Sequence, residues 1–91
     1  NYHKAHYLAD QIDKIAGYKV NRDRPFFNEF VVKCPTSVHN INQALIEQGI
    51  IGGYDLEKEY PTLKDHMLLC VTEMNSKEEM DALVQVLAEV K

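Results

Sequence analysis

Two apolar segments constrain the fold of this chain most, because each is apolar on both of the faces that a strand presents. The segments are PFFNEFVVKC, at residues 25–34, and HMLLCVTE, at residues 66–73. Side chains of a strand alternate between the two faces of a sheet. The first segment therefore supplies apolar side chains to both faces: Phe26, Phe30 and Val32 to one, Phe27 and Val31 to the other. Because helices can all pack on one face of so small a sheet, we expect the second face to meet protein outside these residues or a second copy of the chain.

The spacing of apolar residues predicts three helices and three strands in the order αββαβα. One helix is predicted over residues 2–16, a second between the cap Ser37 and Gly49, and a third after a capping box of Ser76 and Glu79. The predicted strands cover residues 18–21, 26–34 and 66–73. These elements predict an α+β fold of two layers, with helices packed on a small, mainly antiparallel, three-stranded sheet. Residues 1–91 are interpreted as a single domain.

The charge balance excludes partners that require a strongly basic surface. The 91 residues carry 10 basic and 14 acidic side chains, and the basic ones are scattered. Nucleic-acid binding needs clustered Lys and Arg, and no apolar run is long enough to cross a bilayer. We therefore expect a cytoplasmic protein with neither nucleic acid nor membrane as a partner, and reduced, packed thiols at Cys34 and Cys70. The start at Asn1 suggests a piece of a longer chain.

The glycine-rich segment GIIGGYDLEKEYP, at residues 49–61, is predicted to be a structural loop. A phosphate-binding loop leads from a strand into the N-terminus of a helix, whereas this segment follows a helix and turns acidic. We expect Gly49 to end the helix, and Gly52 and Gly53 to allow a positive φ or a close approach of the backbone. Ile50 and Ile51 are expected to lie beneath the loop.

Three positions in these segments are candidates for a functional site. Asn28 and Glu29 interrupt the apolar strand, and Glu29 either lies in water at an edge or makes a polar contact across an interface. Tyr54 is an aromatic residue in a glycine-bearing loop, where contacts with another chain or with a ligand are favoured. His3 and His6 lie one helical turn apart without further ligands, so no metal site is predicted.

Three segments, taken in order, resemble one enzyme family. They are PFFNEFVVKCP, GIIGGYDLEKEYP and HMLLCVTEMNSKEEMDALVQVL. They look like the C-terminal end of subunit 1 of the two-subunit glycine cleavage system P-protein, the decarboxylating glycine dehydrogenase. The resemblance implies the small C-terminal domain of a type I pyridoxal-phosphate (PLP) enzyme, excised from a longer chain, whose sheet packs against the large domain of the same subunit.

The resemblance also implies what the whole assembly does. The family decarboxylates glycine on PLP and passes the aminomethyl group to the lipoyl arm of H-protein, in the cytoplasm of a bacterium or archaeon. The lysine that binds PLP belongs to P-protein subunit 2, so this part of the enzyme would be structural, inactive alone and without a catalytic residue. Five residues would face the large domain or the partner subunit: Asn28, Glu29, Gly52, Gly53 and Tyr54.

A function of another class stays open at this point. A free-standing regulatory module with the same α+β fold would dimerise through its sheet and bind a small metabolite with the glycine loop. The two alternatives differ in what covers the second face of the sheet: a large domain of the same chain in the enzyme, a second copy in the module.

Overall fold

The chain folds into an antiparallel sheet with three helices, and a computed structural model describes residues 2–23, 26, 28–72 and 75–90. The predicted α+β class is confirmed. The predicted strand positions Phe27 and Glu73 lie outside the described residues. In chain order the elements are α1 (Tyr2–Asp13), β1 (Lys19–Val20), β2 (Glu29–Lys33), α2 (Val38–Glu47), β3 (Tyr54–Asp55), a 3-10 helix (Leu56–Lys58), β4 (His66–Cys70) and α3 (Lys77–Glu89).

The sheet has four strands, one more than the sequence predicts. Its order is β1-β2-β4-β3, and all three neighbouring pairs are antiparallel. The additional strand, β3, pairs Tyr54 with Leu68 and Asp55 with Met67. Two residues are too few to show the alternation that identifies a strand in a sequence, which is why this segment reads as a loop.

Several predicted elements are shorter in the structure: β1 covers Lys19–Val20 rather than residues 18–21, and β4 ends at Cys70. α1 ends at Asp13 rather than at residue 16, and the Asp13 carboxylate accepts a hydrogen bond from the Val20 N–H at 2.7 Å. The chain reverses between them through Gly17, whose φ is 91°. β2 begins at Glu29 rather than at residue 26, and the Phe26 ring stacks on a histidine of α1 instead of extending the strand.

Both predicted N-caps are present. The Ser37 hydroxyl accepts a hydrogen bond from the Asn40 N–H at 3.1 Å. At α3, the Ser76 hydroxyl accepts from the Glu79 N–H at 3.1 Å, while the Glu79 carboxylate accepts from the Ser76 N–H at 2.8 Å. These bonds satisfy amides that have no partner inside the helix, so α2 and α3 begin where the sequence predicts.

The exit of α2 depends on Gly49, as predicted. Its φ is 75°, in the left-handed region that favours glycine. The Gly49 N–H donates to the Ile46 carbonyl at 2.9 Å, and the Ile50 N–H donates to the Leu45 carbonyl at 2.9 Å. This pair of bonds is a Schellman motif, which satisfies the last carbonyls of the helix and directs the chain toward the sheet.

The hydrophobic core lies between the helices and one face of the sheet. Phe30, Val32, Met67 and Leu69 are buried there from the two central strands. The helices bury the following side chains against them: Ala5, Leu8, Ala9 and Ile12 from α1, Val38, Ile41 and Leu45 from α2, and Met80, Leu83, Val86 and Leu87 from α3. One face of the sheet is therefore fully used within the described residues.

The second face of the sheet, termed the open face below, is exposed or half-buried throughout. Its centre is apolar, as predicted, because Val31 lies directly opposite Leu68. Its two ends are charged or polar, so the expectation of an apolar second face holds only for the centre. The strand register assigns eight residues to it: Lys19, Glu29, Val31, Lys33, Tyr54, His66, Leu68 and Cys70.

A buried phenol and a buried thiol interact electrostatically within the core. The Tyr18 hydroxyl donates a hydrogen bond to the Leu87 carbonyl at 2.9 Å. Burial, with a smaller contribution from Cys34, raises the pKa of Tyr18 to about 12. Burial, assisted by Asp65, likewise raises the pKa of Cys34 to about 12. Both cysteines are free, but Cys70 is exposed, so the prediction of two packed thiols is wrong for Cys70: as the last residue of β4, it points to the open face.

We expect the free energy of unfolding to decrease as the pH rises from about 9 to 12. In the unfolded chain Cys34 and Tyr18 lose their protons near 9.0 and 10.0, whereas the folded chain keeps both protons up to about 12. Each group then lowers the stability by up to about 1.4 kcal/mol per pH unit. Urea unfolding followed across this range should show the decrease, and the double variant Tyr18→Phe, Cys34→Ala should flatten it. Equal slopes in both proteins would contradict the assignment.

Candidate functional site

The predicted site residues lie on both sides of β4. Asn28 and Glu29 stand at the start of β2, where the Val71 N–H donates to the Asn28 carbonyl at 2.7 Å and Glu29 lies opposite Cys70. On the other side of β4, Tyr54 lies opposite a leucine in the middle of that strand. The structure thus brings the two segments to one sheet, with β4 between them.

Glu29 is exposed on the open face. The sequence left two alternatives for this carboxylate, a position in water or a polar contact across an interface. Within this domain alone, the Glu29 carboxylate lies in water. Asn28 is half-buried, and its backbone carbonyl closes the end of the β2–β4 ladder. Glu29 is therefore one of the open-face residues, whereas Asn28 lies beside them at the end of the ladder.

Gly52 and Gly53 serve close packing rather than a positive φ. A Cβ atom on Gly53 would lie 2.7 Å from the Leu68 carbonyl oxygen, and one on Gly52 would overlap the Asn42 amide oxygen. The Asn42 side-chain N–H donates to the Gly53 carbonyl at 2.9 Å, while its Oδ1 is buried without a hydrogen-bond partner. Asn42, which the sequence did not single out, therefore fixes the glycine segment against α2.

Tyr54 presents its ring to the open face and has its hydroxyl engaged at the edge. The side chain is 45% exposed, and its hydroxyl donates to the Glu59 carboxylate at 2.9 Å. This hydrogen bond is the largest cause of the raised pKa of Tyr54. The ring extends the apolar centre of the open face toward its β3 edge.

The two isoleucines of the glycine segment point in opposite directions. Ile50 packs against the core, as predicted, but Ile51 is 91% exposed, so the prediction for Ile51 is wrong. The Schellman bond at Ile50 turns that residue inward, whereas the side chain of the next residue lies in solvent. Sequence composition alone does not reveal this, since both side chains are equally apolar.

A groove of about 330 Å³ lies between the glycine segment, the end of β4 and α3. Its walls are mostly apolar, and its two polar side chains are already engaged: Asn75 accepts from the Thr72 N–H, and Glu79 belongs to the capping box. Small-molecule sites usually offer several convergent polar groups that are free to bind. The groove is lined by Leu8, Gly49, Ile50, Ile51, Gly52, Leu69, Cys70, Val71, Asn75, Glu79, Met80, Ala82 and Leu83.

The described residues contain no group of three or more side chains able to hold a metal ion. His6 stacks on Phe26 with ring centroids 4.3 Å apart, and its Nε2 lies 3.2 Å from the Phe26 carbonyl oxygen. Within the same described ranges, every helix is too short or too polar to span a bilayer.

Curated relatives match the chain along nearly its whole length. A probable glycine dehydrogenase (decarboxylating) subunit 1 from Thermomicrobium roseum is 50% identical over 88 residues, which are 97% of this chain and 20% of that protein. The protein of the same name from Bacillus subtilis is 51% identical over 86 residues, 94% of this chain and 19% of that protein. The chain therefore spans about a fifth of the length of the curated relatives it matches. No protein-family profile matches it.

Solved structures share the fold. The glycine decarboxylase (P-protein) of the glycine cleavage system, in inhibitor-bound form, has a TM-score of 0.87 at 30% identity over 99% of this chain and 20% of that one. A phosphoserine aminotransferase from Cytophaga hutchinsonii has a TM-score of 0.76 at 18% identity, over 97% of this chain and 24% of that one, and shows the fold alone. Over nearly its whole length, the chain is thus similar to about a fifth of the proteins named glycine dehydrogenase (decarboxylating) subunit 1.

Proposed function

We propose that residues 1–91 form the small C-terminal domain of a glycine-decarboxylating P-protein subunit. The observation that carries this proposal is the match of nearly the whole chain to about a fifth of subunit 1 proteins at 50% identity. The fold supports it, because the P-protein structure superposes on 99% of the chain. The open face supports it too, since an apolar strip bordered by polar residues is typical of a surface that packs on another domain.

In this proposal the open face packs against the large domain of the same subunit. Asn28, Glu29 and Tyr54 then lie at the contact or in the wall of the active site, whereas Gly52 and Gly53 act indirectly. Their close packing against α2 and β4 holds the β3 strand, and with it Tyr54, in place. The partners of the whole assembly are subunit 2 and lipoylated H-protein, in the cytoplasm of a bacterium or archaeon.

The proposed whole assembly decarboxylates glycine on PLP and transfers the aminomethyl group to the lipoyl arm of H-protein. In this proposal the Schiff-base lysine lies on subunit 2, as the resemblance to the family implies, and the 91 residues alone bind no PLP. The groove beside the glycine segment supports this, because no lysine lines it. The contribution of this domain is to shape and close the site from one side.

An activity measurement with defined chains tests this proposal. Full-length subunit 1 combined with subunit 2 and PLP should release carbon dioxide from glycine, and full-length subunit 1 lacking these 91 residues should not. The 91-residue chain alone should release none and should give no aldimine absorbance band on titration with PLP. Unchanged activity after the deletion, or an aldimine band with the short chain, would sink the proposal.

The free-standing metabolite-binding module finds no specific support in the described geometry. Its binding loop would be the glycine segment, yet Gly52 and Gly53 are packed against side chains and backbone. The polar groups beside that segment are engaged in caps and turns, so they offer a metabolite little to bind.

A further inference from the structure

The open face is ordered by chemistry along its strands. Directly opposite residues of antiparallel strands place their Cβ atoms about 5 Å apart on one face, and successive rows on that face lie about 7 Å apart. The register defines three rows: Lys19, Lys33 and His66; then Val31, Leu68 and Tyr54; then Glu29 and Cys70. The first row, which contains two lysines, is termed the cationic row below, and the central row is apolar.

The cationic row lacks an acidic partner within the described part of the chain. Lys19 lies directly opposite Lys33, and like charges in this arrangement destabilise a sheet. In the residues that the structure describes, no ion pair includes either lysine. The chain does pair cations elsewhere, since Arg22 contacts Asp10 at 2.9 Å and Asp13 at 2.8 Å. The exposed lysine pair thus carries a repulsion that an external carboxylate would relieve.

We propose that the surface covering the open face presents carboxylates opposite Lys19 and Lys33, and apolar side chains opposite Val31 and Leu68. The occupant is the large domain of the same chain, so this inference rests on the proposed function. About four fifths of the relatives' length lies outside these residues, which leaves ample protein to cover the face. Charge complementarity then specifies the chemistry of its contact surface and fixes its register on the sheet.

A second copy of this chain complements the row less well. Among the residues that the register assigns to the open face, Glu29 is the one carboxylate. In a face-to-face dimer, each copy would therefore offer a single carboxylate to the two lysines of the other copy. The charge of the whole chain also argues against a polyanion, because 14 acidic residues outnumber 10 basic ones. Carboxylates on a folded protein surface match a small cationic row better than a phosphate backbone does.

The reactivity of Cys70 in the full-length protein tests the inference. Cys70 is exposed in this domain and lies on the open face, so its alkylation by iodoacetamide reports whether that face is covered. We expect labelling at least about tenfold slower in native buffer than in urea, read by peptide mass spectrometry. Lys33→Glu should raise the native rate about tenfold, because it sets like charges against each other across the contact. Lys33→Met should raise it less.

Lys14→Glu is the matched control, since it makes the same charge change at an exposed position after α1. It should leave the labelling rate unchanged. A native rate equal to the rate in urea would show a free open face and overturn both proposals. If Cys70 is labelled slowly and neither Lys33→Glu nor Lys33→Met changes the rate, the packing of the face is supported and the carboxylate inference is overturned. If the labelling of Cys70 becomes slower as the protein concentration rises, a second copy covers the face, and the proposal that the large domain covers it is overturned.

Discussion

Replacing Gly53 by alanine is expected to lower the free energy of unfolding of the 91-residue chain by about 3 kcal/mol. A Cβ atom at this position would overlap the Met67 side chain and lie 2.7 Å from the Leu68 carbonyl oxygen. The side chain can move, but the carbonyl belongs to a central strand. The variant must therefore lift β3 from β4 and weaken the hydrogen bond that Asn42 donates to the Gly53 carbonyl.

Gly49→Ala provides the control for that prediction. Gly49 has a positive φ of 75°, but an added Cβ atom would meet nothing within 4 Å. Its cost is therefore the left-handed backbone alone, about 1 kcal/mol. Urea unfolding of both variants checks the difference. Equal losses at Gly49 and Gly53 would show that close packing is not the role of Gly53.

Replacing Leu45 by alanine is expected to cost about 3 to 4 kcal/mol, since a fully buried leucine leaves a cavity that the surroundings fill only in part. Leu45 is buried in α2, and its Cδ1 packs next to Gly52. The substitution therefore loosens both the core and the packing beneath the glycine segment. A domain of 91 residues has a total stability of about 5 to 14 kcal/mol, so the loss is a large fraction of it.

The neighbouring residue Ile46 provides the matched comparison. Its side chain is 66% exposed on the same helix, and Ile46→Ala should change the free energy of unfolding by no more than about 0.5 kcal/mol. Thermal or urea unfolding of the two variants measures the difference. A loss at Ile46 as large as that at Leu45 would place Ile46 in a contact that the described residues do not contain.

The helices were predictable because their signals are local. Ser76 and Glu79 identify a helix start within four residues, and Gly49 identifies a helix end by its own backbone freedom. The strand β3 was not predictable, because two residues acquire their pairing only when Gly52 and Gly53 bring them against β4. The strand β3 therefore depends on a long-range contact with β4, which no local sequence pattern indicates.

The candidate site was predictable in its location but not in the roles of its residues. Asn28, Glu29 and Tyr54 do lie in or beside strands of the open face, where the sequence indicated a second contact surface. The alternation of apolar residues did not show that Lys19 faces Lys33, since register depends on which strands pair. Sequence order also concealed Asn42, whose amide reaches a carbonyl eleven residues later.

The two outer strands of the sheet contain only two residues each, Lys19–Val20 and Tyr54–Asp55. Such short edges offer few free backbone groups to another strand, and edge-to-edge pairing is a common route to aggregation. In the described residues the apolar strip of the open face is also partly exposed. The short edges disfavour edge-to-edge pairing and leave that face for association, so the isolated chain has few ways to polymerise.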